Sequence, residues 1–115
     1  MAKFLTRLLI TTIAALIAAY LLSGVAINGI VTAFVVAIVL ALLNTFIKPL
    51  LVILTIPITL VTLGLFLLVI NIIIIKLAAA LVDGFEVSSW WAALLFSLIV
   101  SVVSYVLEGL FSKDK

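Results

Sequence analysis

The sequence predicts an all-α integral membrane protein with four transmembrane helices and a proline-broken or re-entrant segment between the second and third. Three observations predict this. Of the 115 residues, 70% are hydrophobic and only 9% charged, and the mean hydropathy is +1.73. A water-soluble domain is nearer half apolar and a quarter charged. Residues 8–47, 49–75 and 87–107 carry no charge, and a helix crossing a hydrocarbon core of about 30 Å needs about 20 residues. These runs are continuously apolar and do not alternate over ten-residue segments, which argues against a β-barrel.

The first span is expected over about residues 4–22. Lys3 and Arg7 before an apolar stretch are the pattern of a signal peptide, but the stretch is at the long limit and no good A-x-A site follows. A first membrane helix is the better reading. Its Thr11, Ala15, Ala18 and Ala19 allow close approach of a neighbour. Ser23-Gly24 breaks it, and Val25–Gly29 reads as a short turn. The second span is expected over 30–47. Lys48-Pro49 ends or kinks it, because proline disfavours helical geometry in the preceding residue and lacks a backbone donor.

Residues 49–63 are apolar but too short to cross and return. Pro57 sits between Thr55 and Thr59, whose hydroxyls can bond carbonyls that a proline leaves free. This predicts a broken or re-entrant hairpin at one membrane face. The alternative is that spans 2 and 3 are long, kinked and tilted. The third span is expected over 64–82, with Gly64 starting or kinking it. Asp83–Ser89 is a polar loop. The fourth span runs over 90–111 from Trp90-Trp91, and the tail Ser112–Lys115 is too short to fold. The sequence shows no internal repeat, linker or low-complexity tract, and residues 1–115 read as one four-helix domain.

Lys3, Arg7, Lys113 and Lys115 lie at the termini, and with four spans Lys48 shares their side. The opposite loops carry Asp83 and Glu86 but no Lys or Arg. The positive-inside rule then places both termini in the cytoplasm, with Tyr20, Trp90 and Trp91 as an outer aromatic belt.

There is no Cys or His, which removes thiol nucleophiles, disulfides, Cys/His zinc sites and histidine bases. No basic run marks nucleic-acid binding. The carboxylates Asp83, Glu86, Glu108 and Asp114 form no catalytic constellation, and glycine motifs that cradle phosphate are missing. No catalytic, cofactor or metal residues are therefore assigned.

The polar residues inside the spans remain. Asn44 and Asn71 predict interhelical hydrogen bonds worth about 0.6–2 kcal/mol, with a permeation role as the alternative. Lys48 would meet lipid phosphates. Lys76 lies within the third span, where an ionisable residue is either functional or snorkels to the headgroups. Asp83 shares its helical face but lies about 10 Å further along the axis, too far for easy pairing. Ala93, Ser97, Ser101, Ser104 and Glu108 share one face of the fourth span, as a packing stripe or as the lining of an oligomeric pore. Arg7 and Glu108 sit at matching depths in spans 1 and 4. They are expected to pair, the alternative being that each snorkels to water separately.

At Asn44-x-x-x-Lys48-Pro49, Thr55-x-Pro57, Thr62-Leu-Gly64-Leu-Phe66, Asn71 and Gly84-Phe85-x-Val87 the sequence resembles the four-transmembrane phage holins, superfamily IV, of mycobacterial type. The resemblance covers roughly residues 5–110. Lys48 stands where that family usually has Arg, and Asp83 where Pro commonly precedes Gly-Phe. The resemblance implies a hole-forming protein of the bacterial inner membrane. One protomer has too little polar surface to line an aqueous channel, so a pore requires a homo-oligomer. The expected function is membrane permeabilisation or envelope remodelling by a self-associating protein in the lipid bilayer. The alternatives are a non-conducting, lipid-organising protein and a small proton-coupled exporter. The exporter lacks a carboxylate within its first span.

Overall fold

The computed structural model describes residues 2–111. Ser112–Lys115, including the basic Lys113 and Lys115 used for topology, lie outside the described residues. The described chain is mostly helical: α1 (Ala2–Leu21), β1 (Val25–Ile27), α2 (Ile30–Leu42), a π turn (Leu43–Ile47), α3 (Lys48–Leu54), α4 (Ile56–Val61), α5 (Phe66–Leu81), β2 (Phe85–Val87) and α6 (Trp90–Phe111). Three helices are long and apolar enough to cross a membrane: Lys3–Leu21, Ile30–Leu54 and Trp90–Phe111. Phe66–Leu81 is a shorter apolar helix.

The fold departs from the all-α expectation at two loops. β1 and β2 form an antiparallel ribbon with Val25 opposite Val87, Ala26 opposite Glu86 and Ile27 opposite Phe85. Each segment is only three residues long and reads locally as a turn. The ribbon satisfies backbone groups at the end of the bundle, which would otherwise be costly beside apolar surroundings.

The second departure is at Lys48-Pro49, which does not end the helix begun at Ile30. The Lys48 amide donates to the Leu43 carbonyl, five residues back. This wider turn makes room where the Pro49 ring would collide with the preceding turn, and the helix runs on to Leu54. The interruption falls at Thr55 (φ −111°, ψ 14°), and Pro57 then lies in the first turn of α4, where its missing N–H costs nothing. Thr55 Oγ1 donates to the Leu51 carbonyl at 2.7 Å. The Thr59 hydroxyl, expected to help in the same way, has no partner among the described residues. After α4 the chain turns through Leu63 (φ 57°) and Gly64 (φ 90°), so α5 opens at Phe66 rather than at Gly64. Neither α3 nor α4 contains a buried residue.

The structure also contains a repeat that the sequence conceals. Helix–strand–helix occurs twice, as α1–β1–α2 and α5–β2–α6, with the second unit displaced by sixty positions (Val25 to Phe85, Ile30 to Trp90). The hydrogen bonds repeat with it. The Asn28 amide donates to the Gly84 carbonyl and the Ser88 amide to the Gly24 carbonyl, both at 2.8 Å. Ala33 to Gly29 and Ala93 to Ser89 are a further related pair. The ribbon register obeys the same operation, because the partner of Val25 is the equivalent of Ile27. The two units are thus related by a pseudo-two-fold axis through the Ala26–Glu86 pair. The sequence hides this because equivalent core sites exchange volume: Val25 for Phe85, Val36 for Phe96, Ala15 for Ile75.

Around this axis α1 packs against α2 and α6, and α5 packs against α6 and α2. The core holds Ala15, Ala18, Val36, Ile70, Ile74, Ala78, Phe85, Ala93 and Phe96. Gly24 and Gly84 bring the two units together at the ribbon. A Cβ on Gly24 would stand 2.7 Å from Ser88 Oγ, and one on Gly84 would stand 3.1 Å from Asn28 Cβ.

Candidate functional site

Far from the ribbon α6 is packed more loosely than the other long helices, whose Leu8, Ile10, Leu40, Leu43 and Ile70 stay buried. On α6 the buried residues are Ala92, Ala93, Phe96 and Ser97, all in its first turns. Beyond them a cavity of about 470 Å³ opens between α1, α2 with its π turn, and α6. α1 contributes Phe4, Arg7, Leu8 and Thr11, spaced to share one helical face. The second helix contributes Ala37, Leu40, Ala41, Asn44 and Thr45. From α6 come Val100, Ser101, Ser104, Tyr105 and Glu108.

The pseudo-two-fold axis explains this lining. Ala41 is the equivalent of Ser101, Asn44 of Ser104, and Thr45 of Tyr105, so matching positions of α2 and α6 face the same cleft. Thr45 and Tyr105 are not singled out by the sequence, and Thr11 is expected there only as a position of close helix approach. The sixty-residue offset is the signal that finds Thr45 and Tyr105, once Asn44 is set against Ser104.

The cleft is lined by polar groups without partners. Asn44, Thr45 and Ser101 are exposed. Asn44, Thr45, Ser101 and Tyr105 make no side-chain hydrogen bond among the described residues. Ser104 Oγ is buried and also lacks a partner. At the mouth, Arg7 Nε lies 3.4 Å from Glu108 Oε2, with the two side chains 75% and 38% exposed. This ion pair joins the first unit to the second.

The remaining candidates lie elsewhere. The stripe on α6 passes from packed to open: Ala93 and Ser97 are buried, Ser104 is half-buried and Ser101 is exposed. Asn71 is half-buried on α5, away from the cleft, and makes no side-chain hydrogen bond among the described residues. Lys48 is half-buried, Pro49 and Pro57 are exposed, and Gly64 forms the turn into α5. Lys76 turns toward the ribbon, where Nζ donates to the Val87 carbonyl at 3.3 Å. Its four-carbon stem therefore ties α5 to β2. Asp83 is exposed. Among the described residues no three His, Cys, Asp or Glu side chains gather as metal ligands.

A family model described as the mycobacterial 4 TMS phage holin, superfamily IV, matches residues 2–106. The uncharacterized membrane protein YvlD of Bacillus subtilis (strain 168) is 34% identical over 109 residues, covering 94% of this chain and 92% of its own length. The uncharacterized protein SCO3922 of Streptomyces coelicolor is 36% identical over 119 residues, covering 95% of each. No solved structure matches the chain.

Proposed function

The chain belongs to the mycobacterial four-transmembrane phage holin family, superfamily IV, and from that premise we propose that it is a holin-like protein that self-associates in the bacterial inner membrane and permeabilises or remodels it as an oligomer. In this reading the chain crosses four times, and the positive-inside rule applied to Lys3, Arg7 and Lys48 puts the termini and the α3–α4 segment at the cytoplasmic face and the ribbon at the periplasmic face. In this arrangement α3 carries the second span on to the cytoplasmic face, and α4 turns back from Thr55 as a short element that does not cross.

The observation that carries the reading is the cleft between α2 and α6. Asn44, Thr45, Ser101 and Tyr105 are polar groups within membrane helices, and the protomer leaves them without protein partners. Facing lipid tails, such groups are costly. A second copy covering the cleft, or water held between several copies, removes that cost. Clefts turned toward a shared axis would line an aqueous path that one protomer cannot form.

The test is inducible expression with membrane potential and dye release as readouts. Collapse of the potential, weakened by Asn44→Leu and Ser101→Leu, is the expected result. An intact potential at full expression overturns permeabilisation and favours a lipid-organising protein. The exposed apolar surface of α3 and α4 (Leu54, Leu60, Val61) suits that second reading.

A further inference from the structure

We propose that the two halves of the chain open about the ribbon as about a hinge, and that the Arg7–Glu108 ion pair is the latch holding the cleft closed at the opposite end. Three observations carry this.

The first is the repeat. Two helix–strand–helix units related by an axis along the bundle can move as separate bodies, and parallel repeats of this kind place their working site at the interface between them. Here that interface holds the cleft, because α2 belongs to one unit and α6 to the other.

The second is the gradient of packing along α6, the helix that the second unit lays against the cleft. At the ribbon end the units are joined by backbone hydrogen bonds in both directions across the seam. They are joined also by the close approach of Gly24 to Ser88 and Ala92 and of Gly84 to Asn28 and Thr32, all across the boundary. At the other end the last four turns of α6 contain no buried residue. Motion concentrates where contacts are few, so the ribbon is the fixed end and the cleft the moving one.

The third is the nature of the single ion pair among the described residues. It lies across the unit boundary, at the mouth of the cleft, and both side chains are more than a third exposed. A wet ion pair is weak and exchanges readily with water. It can hold a preferred closed state without preventing opening. Charge or lipid headgroups at the membrane surface, which compete for Arg7, would then bias the equilibrium.

The chain has no native cysteine, so spin labels can be placed in pairs on the full-length protein in nanodiscs. Labels at Thr45→Cys and Tyr105→Cys report the cleft. Labels at Tyr20→Cys and Leu81→Cys, both exposed and equivalent to within one position of the repeat, report the ribbon end. Glu108→Gln should shift the cleft distance to longer values and broaden it while leaving the ribbon-end distance unchanged. The swap Arg7→Glu with Glu108→Arg should restore the narrow distribution. Unchanged cleft distances in Glu108→Gln, or equal broadening at both ends, overturn the hinge and latch. Because the readout is a distance, it is independent of permeabilisation. Cleft opening in a protein that leaves the membrane potential intact overturns the holin-like reading alone.

Discussion

Arg7 and Glu108 meet across the boundary between the two units, Nε to Oε2 at 3.4 Å, one in the second turn of α1 and the other in the last turn of α6. Their exposure limits the energy. An ion pair this wet contributes about 0–1 kcal/mol, so Glu108→Gln should lower thermal stability only slightly. The effect should shrink further in high salt. A loss of several kcal/mol on denaturation would show instead that the pair is shielded, as at a contact between copies.

The glycines of the ribbon should respond unequally to alanine. Gly84 has φ +90° and crowded surroundings, so Gly84→Ala should cost about 1–3 kcal/mol from backbone strain and overpacking. Gly24→Ala has no unusual φ but would press on Ser88 Oγ and Ala92 Cβ, a cost of about 1–2 kcal/mol. Gly109, on α6 with open space around it, should tolerate alanine or gain up to about 1 kcal/mol. Thermal unfolding in detergent ranks the three. Equal effects would mean that the close approach at the ribbon is not what joins the units.

Phe96 is buried against Phe85, and its equivalent in the first unit is the smaller Val36. Phe96→Ala should destabilise by about 3 kcal/mol, through the cavity it leaves. Val36→Phe should be poorly tolerated because the opposing volume is already filled. The double change Val36→Phe with Phe96→Val should recover part of the loss if the two sites exchange volume about the axis. Additive losses in the unfolding midpoint count against that relation.

How much of this was legible in the sequence depends on the range of the interaction. Helical membrane character follows from composition and from uncharged runs, which are local properties. The helix breaks at Ser23-Gly24 and at the loop through Gly84 follow from residues that favour turns. The ribbon was hidden because Val25–Ile27 and Phe85–Val87 have no strand identity without a partner sixty positions away. The repeat was hidden for the same reason: geometry persists while Ala26 stands against Glu86 and Asn44 against Ser104. Helix continuity through Pro49 depends on a π turn, which no residue type specifies. Of the cleft, Asn44, Ser101 and Ser104 were legible as polar residues in apolar spans. Which of them face one another was a question of tertiary packing.

The orientation proposed here makes Asp83 periplasmic and Lys3 cytoplasmic. In intact cells a membrane-impermeant thiol reagent should label Asp83→Cys and not Lys3→Cys. Both positions are exposed, so accessibility does not limit either reaction. Leu60→Cys, on the surface of α4, should behave like Lys3→Cys if α3–α4 lies at the cytoplasmic face. Labelling of Leu60→Cys together with Asp83→Cys would place that segment across the membrane.

The serines of α6 separate packing from assembly. Ser97 is buried beside Ala93 and Phe96 in the tightly packed turns, whereas Ser101 opens into the cleft. Ser97→Leu must therefore displace its neighbours, at about 1–3 kcal/mol, and should lower the unfolding temperature of the protomer. Ser101→Leu enters open space, so protomer stability should hold. Its bulk and apolar character should instead alter the size of the assembly in nanodiscs, because the cleft is the surface another copy would cover. Ser104→Ala removes a buried hydroxyl that has no partner among the described residues, and it should be neutral or stabilising. An unchanged assembly with Ser101→Leu, alongside the expected loss with Ser97→Leu, would show that α6 serves only internal packing and that copies meet elsewhere.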